Sequence, residues 1–202
     1  MTIDQLRDAI IKEFSPMWEL NDKAHRVEHF EDVFQCGMYI NDKLELGYEP
    51  KLILFAAYFH DLFAWSRYNH HEMAFHWITT TDFPLILDNL NPKETMIVAW
   101  GCHQHRASYK GEFKGKFCEL INAADRGRPG NISSMLDRAI KYREKKHPEM
   151  SRDQRHVDAI KHLHDKYGFQ GYARYPAIYT NLFGVELEQQ RAEINDLYKG
   201  IR

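Results

Sequence analysis

A histidine and an aspartate stand side by side at the end of an apolar segment. The segment from Leu52 to Phe59 contains only leucine, isoleucine, phenylalanine, alanine and tyrosine, which predicts a buried helix. A buried helix does not normally end on two polar residues that bind metals well unless a ligand holds them. We therefore predict that His60 and Asp61 form the centre of a metal site.

Two further residues are candidates for the same site. His29 lies on the predicted second helix, and Asp125 ends the apolar segment that begins at Leu120. Imidazole and carboxylate groups suit a divalent ion such as Mn, Mg, Co, Ni, Fe or Zn. Two imidazoles and two carboxylates from three helices can surround one ion and leave positions open for water and a phosphate oxygen. The predicted cofactor is therefore a divalent metal ion.

The pattern of apolar residues and of helix-ending residues predicts an all-α fold. No segment shows sustained alternation of apolar and polar residues, which a half-buried strand would need. Proline, glycine, asparagine and serine mark the helix ends. The predicted helices are 3–14, about 24–46, 50–63, about 70–78, 92–102, 117–125, 133 or 134 to 140, about 153–167 and about 185–198.

Composition limits the class of protein. A chain of 202 residues and 24.0 kDa suits one domain. Its 27 basic and 29 acidic residues give no global positive field, so we do not expect a long nucleic acid as partner. Three cysteines without paired spacing favour a reducing, cytoplasmic compartment. We expect no signal peptide and no membrane partner, and a homo-oligomer stays open.

The order of the candidate ligands resembles a known family. The segments His25 to Val33, Phe59-His60-Asp61 and Ala123 to Arg126 are similar to the H…HD…D pattern of the HD superfamily of metal-dependent phosphohydrolases. The segment Asn69 to Ala74 is similar to the helix that many members carry after the HD pair. The resemblance covers roughly residues 25–126. It implies an HD-domain-like helical bundle with an additional C-terminal helical segment.

What the resemblance implies can be written residue by residue. His29, His60, Asp61 and Asp125 would be the metal ligands, and the reaction would be hydrolysis of a phosphoester. Asp61 could also orient the attacking water. Glu72 is the candidate for a general base, because proton transfer needs a carboxylate or an imidazole within hydrogen-bond reach. The metal-binding core would span about 25–126 of a single domain 1–202, with 127–202 packing on it as a helical extension.

Additional histidines open the question of a second metal. Members of the superfamily with two metals place extra histidines between the HD pair and the last aspartate, where His71, His103 and His105 fall. A dinuclear site would need Asp61 to bridge the two ions. Because His103 and His105 are two residues apart, we expect at most one of them as a ligand if the helix continues.

Cationic residues near the predicted ligands could bind a substrate phosphate. A small-molecule phosphate, with a nucleotide as the favoured class, is therefore the expected partner. The residues predicted to contact it are Arg26, Arg106, Lys110, Arg126 and Arg174.

Three other functions stay open at this point. A dinuclear iron oxygenase of similar architecture would use the extra histidines. A nuclease for single-stranded ends would use the basic loop from Arg106 to Lys116. A non-catalytic binding module would bind metal without turnover. One branch of the superfamily, which resembles guanosine-tetraphosphate hydrolases, has a Glu-Asp pair soon after the HD pair. This chain has Leu62 to Trp65 at that place, which counts against membership of that branch.

Overall fold

The computed structural model is all-helical over the residues that it describes, 1–22 and 25–201, which confirms the predicted fold class. Helices joined by loops make up these two ranges, and neither range contains a strand. The helices are α1 Ile3–Trp18, α2 Val27–Lys43, α3 Pro50–Phe59, α4 His70–Thr80, α5 Pro84–Leu87, α6 Pro92–His103, α7 Lys116–Ala124, α8 Ile132–Lys146, α9 Arg152–Tyr167 and α10 Ala177–Lys199.

Helix α3 forms the centre of the core. Pro50 begins it at a position where the missing N–H costs nothing, and every residue from Leu52 to Phe59 is buried. The helix packs against α1, α2, α6 and α7. A helix that is apolar on all sides can be stable in water only when neighbours cover all of it, which explains this central position.

Two glycines allow neighbouring helices to approach closely. A Cβ atom on Gly37 of α2 would lie 2.7 Å from Cγ2 of Ile53 on α3. A Cβ atom on Gly101 of α6 would lie 2.9 Å from the ring of Phe117 on α7. Both distances are below normal van der Waals contact, so the packing of the site-bearing helices depends on the absence of these side chains.

The first helix is longer than predicted. It was expected to end at Ser15 and Pro16, but it continues to Trp18. Pro16 stands in the last turn, where it removes one backbone donor, and the Ser15 hydroxyl donates to the Ile11 carbonyl at 2.5 Å. Trp18 is 1% exposed, so its burial favours the additional turn.

Other helix bounds also differ from the prediction. The third helix ends at Phe59, and residues 60–65 form turns in place of the predicted end of that helix. The last helix begins at Ala177, with a non-helical Phe183 inside it. Helix α8 begins at Ile132 and not at residue 133 or 134, because the side chain of Asn131 caps it in place of a serine. Helix α2 runs from Val27 to Lys43, and its expected start at Ala24 lies outside the described residues. The short helix α5 was not predicted.

The chain divides into two compact units. The first comprises residues 1–127 with 176–178, and the second comprises 128–175 with 179–202. In the second unit α8 packs on α9, and Ile132, Leu163 and Ile194 form a small buried cluster. Packing of 127–202 on the core as one domain stays a prediction.

None of the helices in the described part of the chain combines the length and the apolar character that crossing a bilayer requires.

Candidate metal centre

The candidate ligands lie where five helices of the first unit begin or end. His60 directly follows α3, Asp125 directly follows α7, and His105 follows α6 by two residues. His29 is in the first turn of α2, and His70 is the first residue of α4. Three of these positions are at helix C-termini, where the partial negative charge of the helix dipole favours a cation.

The first group consists of the four predicted ligands. His29, His60, Asp61 and Asp125 each offer an atom within 4.8 Å of the others. Nε2 of His29 lies 3.3 Å from Nε2 of His60 and 3.3 Å from Oδ1 of Asp125. Oδ2 of Asp61 lies 3.3 Å from Nε2 of His60 and 3.8 Å from Nε2 of His29. The sequence prediction therefore identified four residues that the fold brings together.

The second group shares Asp61 with the first. Oδ1 of Asp61 lies 3.3 Å from Nε2 of His70 and 3.4 Å from Nε2 of His105, and the two imidazole nitrogens are 3.2 Å apart. One carboxylate oxygen thus faces each group. Asp61 is 5% exposed and His105 is 3% exposed, so bulk water has little access to these atoms.

Backbone carbonyls fix the orientation of three imidazoles. Nδ1 of His60 lies 2.8 Å from the carbonyl of Ala57, and Nδ1 of His105 lies 2.6 Å from that of Cys102. Nδ1 of His70 lies 3.2 Å from a carbonyl one turn earlier in the chain. A carbonyl can only accept, so each Nδ1 must carry the proton. This arrangement is the usual one for histidines that bind a metal through Nε2.

The residues present fit a divalent ion. When His70 and His105 are both neutral and donate through Nδ1, their Nε2 lone pairs face each other at 3.2 Å, and a cation between them would relieve this repulsion. Ligand atoms about 2.1 Å from a shared tetrahedral centre are about 3.4 Å apart. The separations that involve an imidazole nitrogen, from 3.2 to 3.8 Å in the two groups, are close to that value.

The charges of the two groups are strongly coupled. Burial by itself would lower the pKa of His60, but Asp61 and Asp125 raise it to about 10. Burial would raise the pKa of Asp61, whereas His60 and His105 hold it well below its usual range. Burial and the charge of His105 lower the pKa of His70 to about 4. At neutral pH a proton can occupy the first group, and a metal ion must displace it.

Two buried asparagines hold the backbone around the ligands, and the sequence prediction missed both. The amide of Asn21 donates to the carbonyl of Asp61 at 3.0 Å, and its oxygen accepts from the N–H of Trp65 at 2.9 Å. The amide of Asn122 lies 2.8 to 3.1 Å from the carbonyls of residues 104, 105 and 106. A polar residue inside the apolar run Leu120 to Ala124 was the available signal.

The other histidines predicted for a second metal lie in a third group. His71 and His103 are grouped with Glu72 and not with Asp61. Helix geometry explains this difference: His70 and His71 are about 100° apart around α4, so only one of them can face Asp61. Of the three predicted residues, His105 alone joins Asp61, together with His70, which the prediction did not name. Glu72 is exposed, and its role as general base stays a prediction.

The predicted substrate-binding residues have different surroundings. Arg106 donates to the carbonyl of Tyr68 at 3.2 Å, and Arg126 donates to the carbonyl of Asn122, next to the Asp125 ligand. Arg26 donates to carbonyls of the segment before α2, Lys110 is exposed in the loop after α6, and Arg174 is exposed in the second unit. Their contact with a substrate stays a prediction.

Comparison with known proteins gave no match among family models, curated proteins or solved structures. Over its described residues the chain is all-helical, and it has a buried cluster of histidines and aspartates that could hold a metal ion. This arrangement is compatible with an HD-type fold.

Proposed function

We propose that this protein is a metal-dependent phosphohydrolase of the HD type. The observation that carries the proposal is the position of Asp61: its Oδ2 lies 3.3 Å from Nε2 of His60 in one ligand group, and its Oδ1 lies 3.3 Å from Nε2 of His70 in the other. A carboxylate in that position would bridge two ions, with His29, His60 and Asp125 on one and His70 and His105 on the other. Mn, Mg, Co, Ni, Fe and Zn all accept imidazole and carboxylate ligands in proteins, which leaves the identity of the metal to experiment.

The proposed reaction is hydrolysis of a phosphomonoester or phosphoanhydride of a small molecule, with a nucleotide as the favoured substrate. Divalent ions at such a site polarise the phosphoryl group, activate water and neutralise developing charge. The protein residues hold the geometry: backbone carbonyls orient the imidazoles, and Asn21 and Asn122 fix the chain on either side. Arg106 and Arg126 are two cations of the first unit that could bind phosphate oxygens.

Phosphate release tests the proposal. Purified protein should release phosphate from at least one member of a panel of nucleoside mono-, di- and triphosphates with Mn, Mg, Co or Ni. Asp61→Asn, which keeps the shape of the side chain and removes its charge, should lose that activity with unchanged helix content. An active Asp61→Asn variant, or no release from the whole panel, would contradict the proposal.

A dinuclear iron oxygenase is the second candidate, because the same Asp61 bridge between histidine groups would suit two irons. Protein purified without added metal would then contain two irons per chain and release no phosphate. The nuclease alternative predicts salt-dependent binding of single-stranded oligonucleotides, and the binding-module alternative predicts metal uptake without turnover.

A further inference from the structure

The group formed by His71, Glu72 and His103 shares no residue with the two groups around Asp61. Its three ligand atoms lie within 4.8 Å of one another. His71 and Glu72 come from the first turn of α4, and His103 is the last residue of α6, so the packing of these two helices assembles the group. It can therefore fill or empty without changing the ligands of the central groups.

The two imidazoles of this group are spaced like those of the central groups. The rings of His71 and His103 are 5.3 Å apart, compared with 5.2 Å for His29 and His60 and 5.2 Å for His70 and His105. The His71–His103 separation thus lies within the 4.8 to 5.8 Å that the other histidine pairs of the first unit show. In the two central pairs this separation places ligand nitrogens at distances that fit a shared ion.

Unsatisfied nitrogen atoms are a second, independent observation. Nδ1 of His71 and Nδ1 of His103 are both shielded from solvent and have no hydrogen-bond partner in the described part of the chain. Nδ1 of His60, His70 and His105 each has a backbone carbonyl as partner. Because buried polar atoms rarely lack a partner, two such nitrogens in one pair of touching imidazoles indicate a missing ligand.

From these observations we infer that His71, Glu72 and His103 bind a third divalent ion of the zinc class. Two imidazoles and one carboxylate are the donor set of zinc sites that keep an open coordination position. Mg and Ca prefer all-oxygen sites, so they fit this set less well. In this inference Glu72 would be a metal ligand in place of the general base that the sequence predicts. Since Glu72 is exposed, the third ion should exchange with solvent faster than the central ions.

Packing against aromatic side chains supports the position of His103. Its ring lies 5.3 Å from that of Trp100 and 5.6 Å from that of Phe75, which are themselves 4.6 Å apart. These contacts restrict the imidazole to one side of α6. A ligand that is already held in place loses less entropy when it binds the ion.

Zinc counting tests the inference. Wild-type protein is dialysed against excess Zn²⁺, and bound zinc per chain is measured by mass spectrometry. We expect three ions for wild type, two for the double variant His71→Ala/His103→Ala, one for Asp61→Ala, and three for the control His156→Ala, which removes an exposed histidine of α9. A double variant that binds as much zinc as wild type would overturn the inference.

A milder variant covers the case in which the double variant does not fold. Glu72→Gln keeps the shape of an exposed side chain, so folding should be unaffected. The affinity for one zinc ion should fall at least about tenfold, since substitution of residues that only support metal ligands already costs that much. Competition with a weak chelator should remove this ion first. Unchanged chelator competition in Glu72→Gln would also contradict the inference.

The outcome separates this inference from the proposed function. If the central groups bind no metal but the third group does, wild type and Asp61→Ala each bind one ion, and the double variant binds none. If the third group does not bind, wild type and the double variant each bind two.

Discussion

The histidines at the candidate metal centre of the first unit have different surroundings from the exposed histidines of the second unit. In the first unit His60 is fully buried and His105 is 3% exposed, and both lie beside carboxylates. In the second unit the side chain of His147 is 53% exposed, and His156 is also exposed. A ring nitrogen that cannot reach water needs another partner, whereas an exposed one does not. Burial beside a carboxylate at a helix end therefore marks the histidines that could hold a metal ion, whereas the total number of histidines does not identify them.

The largest effect should come from Asp61→Ala. Because this side chain contributes an oxygen to both central groups, the variant should lose both central ions and all turnover. Metal content and phosphate release measure the effect, with circular dichroism as a check that helix content is kept. The matched control is Asp137→Ala, which removes an exposed carboxylate from α8 and should change neither quantity. Retention of both ions by Asp61→Ala would contradict the bridging role.

Asn122→Ala should have the next largest effect. Its amide supports the carbonyls of residues 104 to 106, so its loss frees the segment that carries His105. We expect metal affinity to fall about 10- to 100-fold, as for other residues that support ligands. Unfolding should become easier by about 1–3 kcal/mol, since buried carbonyls lose their donor. Asn195→Ala, which removes an amide bonded to one helix carbonyl in the second unit, is the control.

Arg143→Ala should separate stability from metal binding. Arg143 is buried in the second unit and joins α8 to α9 through Asp158, with Nε 2.5 Å from Oδ2 and Nη2 3.1 Å from the carbonyl. Its removal should reduce the free energy of unfolding by about 1–3 kcal/mol, because a charged hydrogen bond is lost. Hydrogen exchange in α9 should report the loss, while metal content stays at the wild-type value. A loss of central ions would show that the two regions are coupled.

The smallest effect should come from His156→Ala. An exposed histidine without a structural role should change the free energy of unfolding by less than about 0.5 kcal/mol, and metal content should not change. Thermal unfolding and zinc counting measure both. Loss of an ion in this variant would contradict the distinction between the histidines at the candidate metal centre and the exposed histidines of the second unit.

The sequence could predict the residues of the first group because each one follows a strong local signal. The apolar helix α3 ends at Phe59, directly before His60, and the apolar helix α7 ends at Ala124, directly before Asp125. His29 lies in the first turn of α2, although the helix starts later than expected. For His60, Asp61 and Asp125 the residue type and the place at a helix end are visible without knowledge of the tertiary structure, whereas His29 was identified by its order in the H…HD…D pattern.

The second group required information that the sequence lacks. Whether His70 or His71 faces Asp61 depends on the rotation of α4 about its axis, which is set by its packing against α6. His105 separates from His103 because α6 ends between them. Asn21 supports Asp61 across 40 positions of the chain, a contact that no local pattern reveals. Helix identity is local, but the direction in which a side chain points is decided by packing.

The central proposal is that Asp61 would bridge two metal ions. Anomalous diffraction at the absorption edge of the bound metal, on crystals of the metal-loaded protein, tests it most directly. The account predicts one peak bonded to His29, His60 and Asp125 and a second bonded to His70 and His105, with a different oxygen of Asp61 on each. A metal-loaded crystal with no anomalous peak beside Asp61, or with only one, would contradict it.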